Sequence, residues 1–155
     1  MRLSDIIVTD AIIADLEAGT RDEAIEELIQ ALADTGAITK RAVKDALAAV
    51  LKREDQATTG IGKGISLPHA KIKNVKKVVG TIGRSAKGID FNALDSKPVY
   101  VVILLLSSPD DPDAHLQAME TIFKHVQQDI FRRFLRQSET EQAIAELIEE
   151  ADELA

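Results

Sequence analysis

The chain of 155 residues contains no cysteine and no tryptophan, and aromatic residues make up only 3% of it. Without cysteine it has no disulfide framework, no thiolate nucleophile and no zinc site with sulfur ligands. The longest apolar run, Val99–Leu106, is far shorter than the ~20 residues that span a membrane. The residues after Met1 lack the long apolar core and cleavage site of a secretory signal. We therefore expect a cytoplasmic protein with no direct membrane insertion.

An excess of basic residues is also missing, since the net charge is −7. Such a chain repels nucleic acid overall, so no nucleic-acid partner is expected. The charge is uneven, however, because residues 51–88 carry nine basic and two acidic side chains between two acidic flanks. Two interpretations stay open: this basic segment attracts an anion, or its lysines only solvate the outer face of a strand.

No Pro/Gly/Ser-rich linker, low-complexity tract or internal repeat divides the sequence, which predicts a single domain over residues 1–155. The only three histidines, His69, His115 and His125, show no i,i+4 spacing and no adjoining acidic ligand motif. We therefore expect neither a metal nor a cofactor.

The first half of the chain predicts one strand followed by two helices. Residues 10–17 have the pattern of a short strand. Thr20 begins a capping box that opens a helix, and Gly36 is placed to end it. Thr39 is the expected cap of a second helix, whose apolar stripe lies within residues 42–51.

The second half predicts three strands followed by three helices. The expected strands cover residues 65–72, 75–83 and 99–106, the last of them buried on both faces. The expected helices run from Asp113 to about Gln128, over Ile130–Arg136, and onward from a Ser138 cap paired with Glu141. The fold class is therefore α+β, a mixed β-sheet flanked by helices in three α/β/α layers.

A glycine-rich stretch over residues 59–70 is the least ordinary part of the sequence. Its spacing matches neither the nucleotide phosphate loop nor the dinucleotide-binding pattern. Pro68 fixes its own φ and favours an extended Leu67, which stiffens the approach to His69. From these residues alone, two interpretations of His69 stay open: a reactive side chain, or a half-buried one bonded to the backbone.

The run Thr59-Gly60-Ile61-Gly62-Lys63-Gly64-Ile65-Ser66-Leu67-Pro68-His69 resembles a known active-site signature. It is the signature of enzyme IIA of the bacterial phosphoenolpyruvate-dependent phosphotransferase system, in the fructose/mannitol/nitrogen-regulatory class. The family pattern is Thr-Gly-Ile-Gly-x-Gly-Ile-Ala-x-Pro-His, from which this chain departs only by Ser66 in place of alanine. The resemblance covers essentially the whole chain, and the family fold agrees with the order of elements given above.

The resemblance implies roles for three side chains. His69 corresponds to the histidine that accepts a phosphoryl group from the small histidine-containing phosphocarrier protein. Arg53 matches an arginine that ends the helix before the glycine loop, and His115 matches a second histidine after the buried strand. Backbone N–H groups in this loop are expected to bind the phosphoryl group, namely those of Gly62, Lys63, Gly64 and Ile65. His125 has no counterpart, and we expect it on a helix surface.

These correspondences imply a phosphotransferase with a phosphohistidine intermediate, for which two functions stay open. In one, the phosphoryl group passes to an enzyme IIB for sugar uptake. In the other, a nitrogen-regulatory enzyme IIA binds or releases a target protein according to its phosphorylation state, which the free-standing length favours. A third class is the related fold of cytoplasmic domains of anion transporters, but Pro68, His69, Arg53 and His115 argue against it.

Overall fold

The computed structural model describes residues 1–154, which form six helices, one 3₁₀ turn and five strands. The helices are α1 (Leu3–Ile6), α2 (Arg21–Asp34), α3 (Ala42–Gln56), α4 (Pro112–Val126), α5 (Asp129–Gln137) and α6 (Glu141–Leu154). The strands are β1 (Gly60–Gly62), β2 (Ile65–Ser66), β3 (His69–Lys71), β4 (Val79–Ile89) and β5 (Val99–Ser107). Within this range no helix is both long and apolar enough to cross a bilayer.

Strand β5 is the centre of a mixed sheet. β4 runs antiparallel along one of its edges, and β2 and β3 run parallel to it. Ile65 lies opposite Val101 and His69 opposite Leu105, so β2 and β3 keep one register along the second edge of β5. β2 and β3 therefore form one strand line that is interrupted between Ser66 and His69. Within the interruption the Pro68 carbonyl still accepts from the Leu105 amide of β5 at 3.0 Å. β1 folds back antiparallel onto β2 and ends the sheet on that side.

Side chains on the two faces of β5 enter two separate cores, because successive strand residues point to opposite sides of a sheet. Val102, Leu104 and Leu106 pack with α2 and α3. Val101, Ile103 and Leu105 pack with α1, α4, α5 and α6. The expected three-layer α/β/α arrangement with a fully buried strand is therefore confirmed.

Helix starts agree with the sequence where a local cap decides them. Thr20 caps α2, since its Oγ1 accepts from the Glu23 amide at 3.3 Å. The expected Thr39 cap is only partly confirmed. Its Oγ1 accepts from the Ala42 amide at 3.3 Å, but Arg41 precedes the helix directly and forms no side-chain cap. The other two expected caps were displaced by neighbouring residues that form the same bond.

Asp113 does not open α4, because Asp111 Oδ1 accepts from the Ala114 amide at 3.1 Å and the helix begins at Pro112. Proline suits the first helical position, where its missing N–H is not needed. Ser138 does not cap α6, because its hydroxyl donates to the Phe134 carbonyl at the end of α5. Thr140 accepts from the Ala143 amide instead.

The strand predictions needed three corrections. Residues 10–17 form no regular strand, because a 3₁₀ turn at Thr9–Ala11 leaves only isolated bridges from Ile7 and Ile13 to β4. The strand expected over residues 65–72 is interrupted at Leu67-Pro68, where Pro68 has no N–H to donate. The strand expected over residues 75–83 begins at Val79 and continues to Ile89.

Candidate active site

The parallel strands β3 and β5 end side by side, and their carboxyl ends form one edge of the sheet. Ligands commonly bind at this edge in α/β sheets. β3 begins with His69 and ends at Lys71, which lies opposite Ser107, the last residue of β5. α4 follows β5 after a short turn and carries His115 in its first turns. This topology brings two histidines that are 46 positions apart in the sequence to the same edge.

One hydrogen bond determines which nitrogen of His69 carries the proton. His69 Nδ1 lies 2.7 Å from the Leu67 carbonyl oxygen, which can only accept. Nδ1 is therefore the donor, and in the neutral ring Nε2 has the free lone pair. The bond spans two positions of the chain, since the accepting carbonyl belongs to the residue before Pro68.

His69 is held in its neutral form. Burial lowers the pKa of His69 below its ordinary value of 6.5, the largest single effect on the ring. The hydrogen bond to Leu67 opposes this by favouring the protonated ring, whereas the Arg53 cation lowers the pKa further. A neutral imidazole with a free Nε2 is a nucleophile near pH 7.

His115 lies beside His69, with ring centroids 5.5 Å apart and planes inclined by 51°. Its Nδ1 is 2.5 Å from the hydroxyl oxygen of Ser107. Burial lowers the pKa of His115 as well, and the neighbouring His69 and Lys71 lower it further. The site thus holds two neutral imidazoles side by side.

Arg53 completes the group from the last turn of α3. Its Nη1 donates to the Ala57 carbonyl at 2.8 Å, and among residues 1–154 this is its one hydrogen bond. One corner of the guanidinium is thereby fixed, and its other donors are available to an anion.

An open cleft of about 420 Å³ joins the three side chains. Its lining comprises Ala49, Lys52, Arg53, Gln56, His69, Ala70, Lys71 and His115. Three of these residues are cationic and none is acidic, so the cleft favours an anion such as a phosphoryl group. The sequence-predicted residues His69, Arg53 and His115 are therefore brought together.

The glycine loop is not brought to this cleft. Ile65 lies opposite Val101 and His69 opposite Leu105, a separation of four residues along β5 or about 13 Å. The Lys63 amide donates to Asp95 Oδ2 at 3.0 Å, which occupies one of the four donors expected to bind phosphate. Lys63 instead lines a different cleft with Arg84 and the arginines of α5.

Backbone conformation explains the glycines of this loop. Gly62, Lys63 and Gly64 have φ values of 96°, 58° and 81° and form the turn between β1 and β2. Such positive φ values are readily adopted by glycine and rarely by other residues. The glycines are therefore required by a tight hairpin turn.

Two polar residues at the site were not singled out from the sequence. Glu54 is buried at the end of α3, where its carboxylate accepts from both the amide and the hydroxyl of Thr59. The Thr59 carbonyl in turn accepts from the Leu67 amide at 3.0 Å, so Thr59 links the helix that carries Arg53 to the segment just before His69. Ser107 directly follows the apolar run of β5, and its neighbours in the sequence do not mark it as a site residue. Its place at the carboxyl end of a parallel strand could have done so, because ligands bind at that edge of a sheet.

His125 was expected on a helix surface, and that prediction is wrong. Its side chain is buried, with only 6% exposed, and its ring centroid lies 5.4 Å from that of Phe131. α5 folds back against α4 and covers this face, which local helical periodicity does not reveal. His125 takes no part in the cleft around His69.

Comparison with known families gives one match that covers nearly the whole chain. Residues 5–151 match the model described as "Phosphoenolpyruvate-dependent sugar phosphotransferase system, EIIA 2". A fructose-specific EIIA component of Haloferax volcanii is 34% identical, over 97% of this chain and 97% of its own length. A nitrogen regulatory protein of Bradyrhizobium diazoefficiens is 32% identical, over 93% and 92%. The fructose-specific EIIABC component of Bacillus subtilis is 30% identical over 98% of this chain, but this chain spans only 24% of that protein's length.

Solved structures share the fold. The nitrogen regulatory protein IIA-Ntr of Neisseria meningitidis superposes with a TM-score of 0.82 at 23% identity, over 94% of this chain and 98% of that one. Enzyme IIA for mannitol from Escherichia coli, in a complex with phosphorylated enzyme IIB, gives 0.76 at 18% identity, over 93% and 97%. At these identities the likeness concerns the fold alone.

Proposed function

Because the chain belongs to the EIIA type 2 family of the phosphoenolpyruvate-dependent sugar phosphotransferase system, we propose that it carries a phosphoryl group on His69 Nε2. The observation that supports this assignment is the bond between His69 Nδ1 and the Leu67 carbonyl, which leaves Nε2 as the free nucleophile beside Arg53 and His115. The phosphoryl donor is a histidine-containing phosphocarrier protein. The acceptor is an enzyme IIB of the sugar-uptake pathway, and both transfers take place in the cytoplasm.

The transfer exchanges one nitrogen–phosphorus bond for another. The Nε2 lone pair of His69 forms a bond to phosphorus while the bond between phosphorus and the donor histidine breaks. The electron pair of that bond stays on the donor nitrogen, whose ring leaves as neutral imidazole when its second nitrogen is protonated. His69 keeps its own proton on Nδ1, so its ring becomes positively charged, and the Leu67 carbonyl stabilises that charge.

Arg53 acts on the phosphoryl oxygens. Phosphoryl transfer needs little covalent work from the protein, so its rate depends on positioning and on stabilising charge at the equatorial oxygens. The guanidinium presents planar, always-charged donors for this purpose. Its bond to Ala57 keeps it oriented before the phosphoryl group arrives.

The nitrogen-regulatory branch is a second candidate function. It is favoured by the Bradyrhizobium relative, whose identity of 32% and coverage of 93% of this chain are only slightly below the 34% and 97% of the fructose-specific one. In that branch the same phosphohistidine controls binding to a target protein, and no sugar receives the phosphoryl group. The chemistry at His69 is identical in the two branches.

Phosphotransfer assays test both parts of the proposal. With phosphoenolpyruvate, enzyme I and the phosphocarrier protein, the chain should take one phosphoryl group that is acid-labile and base-stable. His69→Ala should remove it, whereas Lys63→Gln, which lies outside the cleft, should keep it. Equal labelling of His69→Ala would reject the site. Onward transfer to an enzyme IIB from the same cell identifies the sugar branch, and its failure with every candidate IIB favours the regulatory one.

A further inference from the structure

Ser107 is buried at the end of β5. Only 1% of the residue is exposed, and its backbone carbonyl accepts from the Ile72 amide at 2.8 Å. Its hydroxyl oxygen is 2.5 Å from His115 Nδ1. A contact this short between a buried hydroxyl and an imidazole nitrogen is a hydrogen bond, and the question is which atom donates.

The surroundings of the hydroxyl decide the direction. If His115 Nδ1 donated, the Ser107 proton would need another acceptor. Within residues 1–154 the hydroxyl has no partner other than His115, and its burial keeps bulk water away. An unpaired buried O–H is costly, and donation to Nδ1 removes that cost.

We propose that Ser107 is a positioning residue whose hydroxyl donates to His115 Nδ1 and so keeps the single proton of the neutral ring on Nε2. Nδ1 and Nε2 lie on different sides of an imidazole, so the N–H of His115 points away from Ser107. His115 is then a hydrogen-bond donor at the cleft, and a phosphoryl oxygen is the acceptor it serves.

The two histidines consequently have opposite tautomers. A backbone carbonyl keeps the His69 proton on Nδ1 and leaves Nε2 to attack phosphorus. A serine hydroxyl keeps the His115 proton on Nε2 and leaves it to bind a phosphoryl oxygen. The part played in transfer rests on the proposed function, whereas the tautomer of His115 is a property of the unphosphorylated protein.

Nitrogen-15 NMR of the imidazole rings tests the assignment directly. At pH 8 we expect a protonated Nε2 and an unprotonated Nδ1 for His115, and the reverse for His69. In Ser107→Ala, His115 should become a mixture of both tautomers, while His69 keeps its own. A wild-type His115 with its proton on Nδ1, or an unchanged tautomer in Ser107→Ala, would overturn the inference.

Transfer kinetics provide the second readout. Loss of one oriented donor should slow phosphoryl transfer to Ser107→Ala about tenfold, with the affinity for the phosphocarrier protein unchanged. Ser66→Ala is the matched control, because it also deletes a buried hydroxyl from the sheet, but one that has no partner within residues 1–154. An equal rate in wild type and Ser107→Ala would overturn the positioning role. An Nε2-protonated His115 in a protein that accepts no phosphoryl group would support the tautomer assignment and reject the proposed function.

Discussion

Replacing Ser66 by alanine should stabilise the protein, whereas most substitutions of buried residues destabilise it. Ser66 is fully buried on β2, and its Oγ has no hydrogen-bond partner among the described residues. A buried hydroxyl left unpaired costs roughly 1–3 kcal/mol relative to its solvated state. Ser66→Ala removes that cost and leaves a void no larger than one oxygen atom. We expect the free energy of unfolding to rise by about 1–2 kcal/mol.

The matched control is Ser85, a buried serine on β4 of the same sheet. Its Oγ accepts from the Gly88 amide at 3.1 Å, so Ser85→Ala should lower the free energy of unfolding by about 1 kcal/mol. Urea denaturation measures both variants, and a change of 1 kcal/mol corresponds to about 2–4 °C in Tm for a chain of this size. A Ser66→Ala protein destabilised as much as Ser85→Ala would refute the reasoning.

Three further outcomes are expected. Arg53→Lys should slow phosphoryl transfer, measured by rapid quench, by about 10²-fold. One ammonium group cannot both donate to Ala57 and contact several phosphoryl oxygens. An unaltered rate would exclude charge stabilisation by the guanidinium. Lys71→Gln should reduce the association rate with the phosphorylated carrier at low salt, because Lys71 lines the cleft around His69. Lys63→Gln should not, because Lys63 lines a different cleft. Equal effects of the two variants would contradict a local anion cleft. Burial lowers the pKa of all three histidines, His69, His115 and His125. Below pH 6.5 the unfolded chain therefore binds more protons, and urea denaturation should show stability falling from pH 7.5 to 5.5; a flat profile would contradict these shifts.

Local interactions made part of the fold predictable. The Thr20 cap is decided by residues within one turn, and the apolar run that forms β5 requires burial on both faces. The run ending in Pro68-His69 marked His69 as a candidate, but only the resemblance favoured a reactive side chain over one bonded to the backbone. Arg53 and His115 could be named only by resemblance, because nothing in their local sequence points to the cleft.

Tertiary packing decided the rest. The burial of His125 depends on α5 folding back to place Phe131 against it. The distance between the glycine loop and His69 depends on the register of β2 and β3 along β5. Ser138 and Thr140 are both acceptable caps, and the structure selects Thr140 because Ser138 bonds the end of α5. Pattern alone carries none of this information.

The nitrogen that carries the phosphoryl group tests the central claim most directly. Phosphorus-31 and nitrogen-15 NMR of the phosphorylated protein identify both the histidine and the ring atom. The account predicts a single phosphoryl group on His69 Nε2, with Nδ1 still bonded to the Leu67 carbonyl. A phosphoryl group on His69 Nδ1, or on His115, would contradict it.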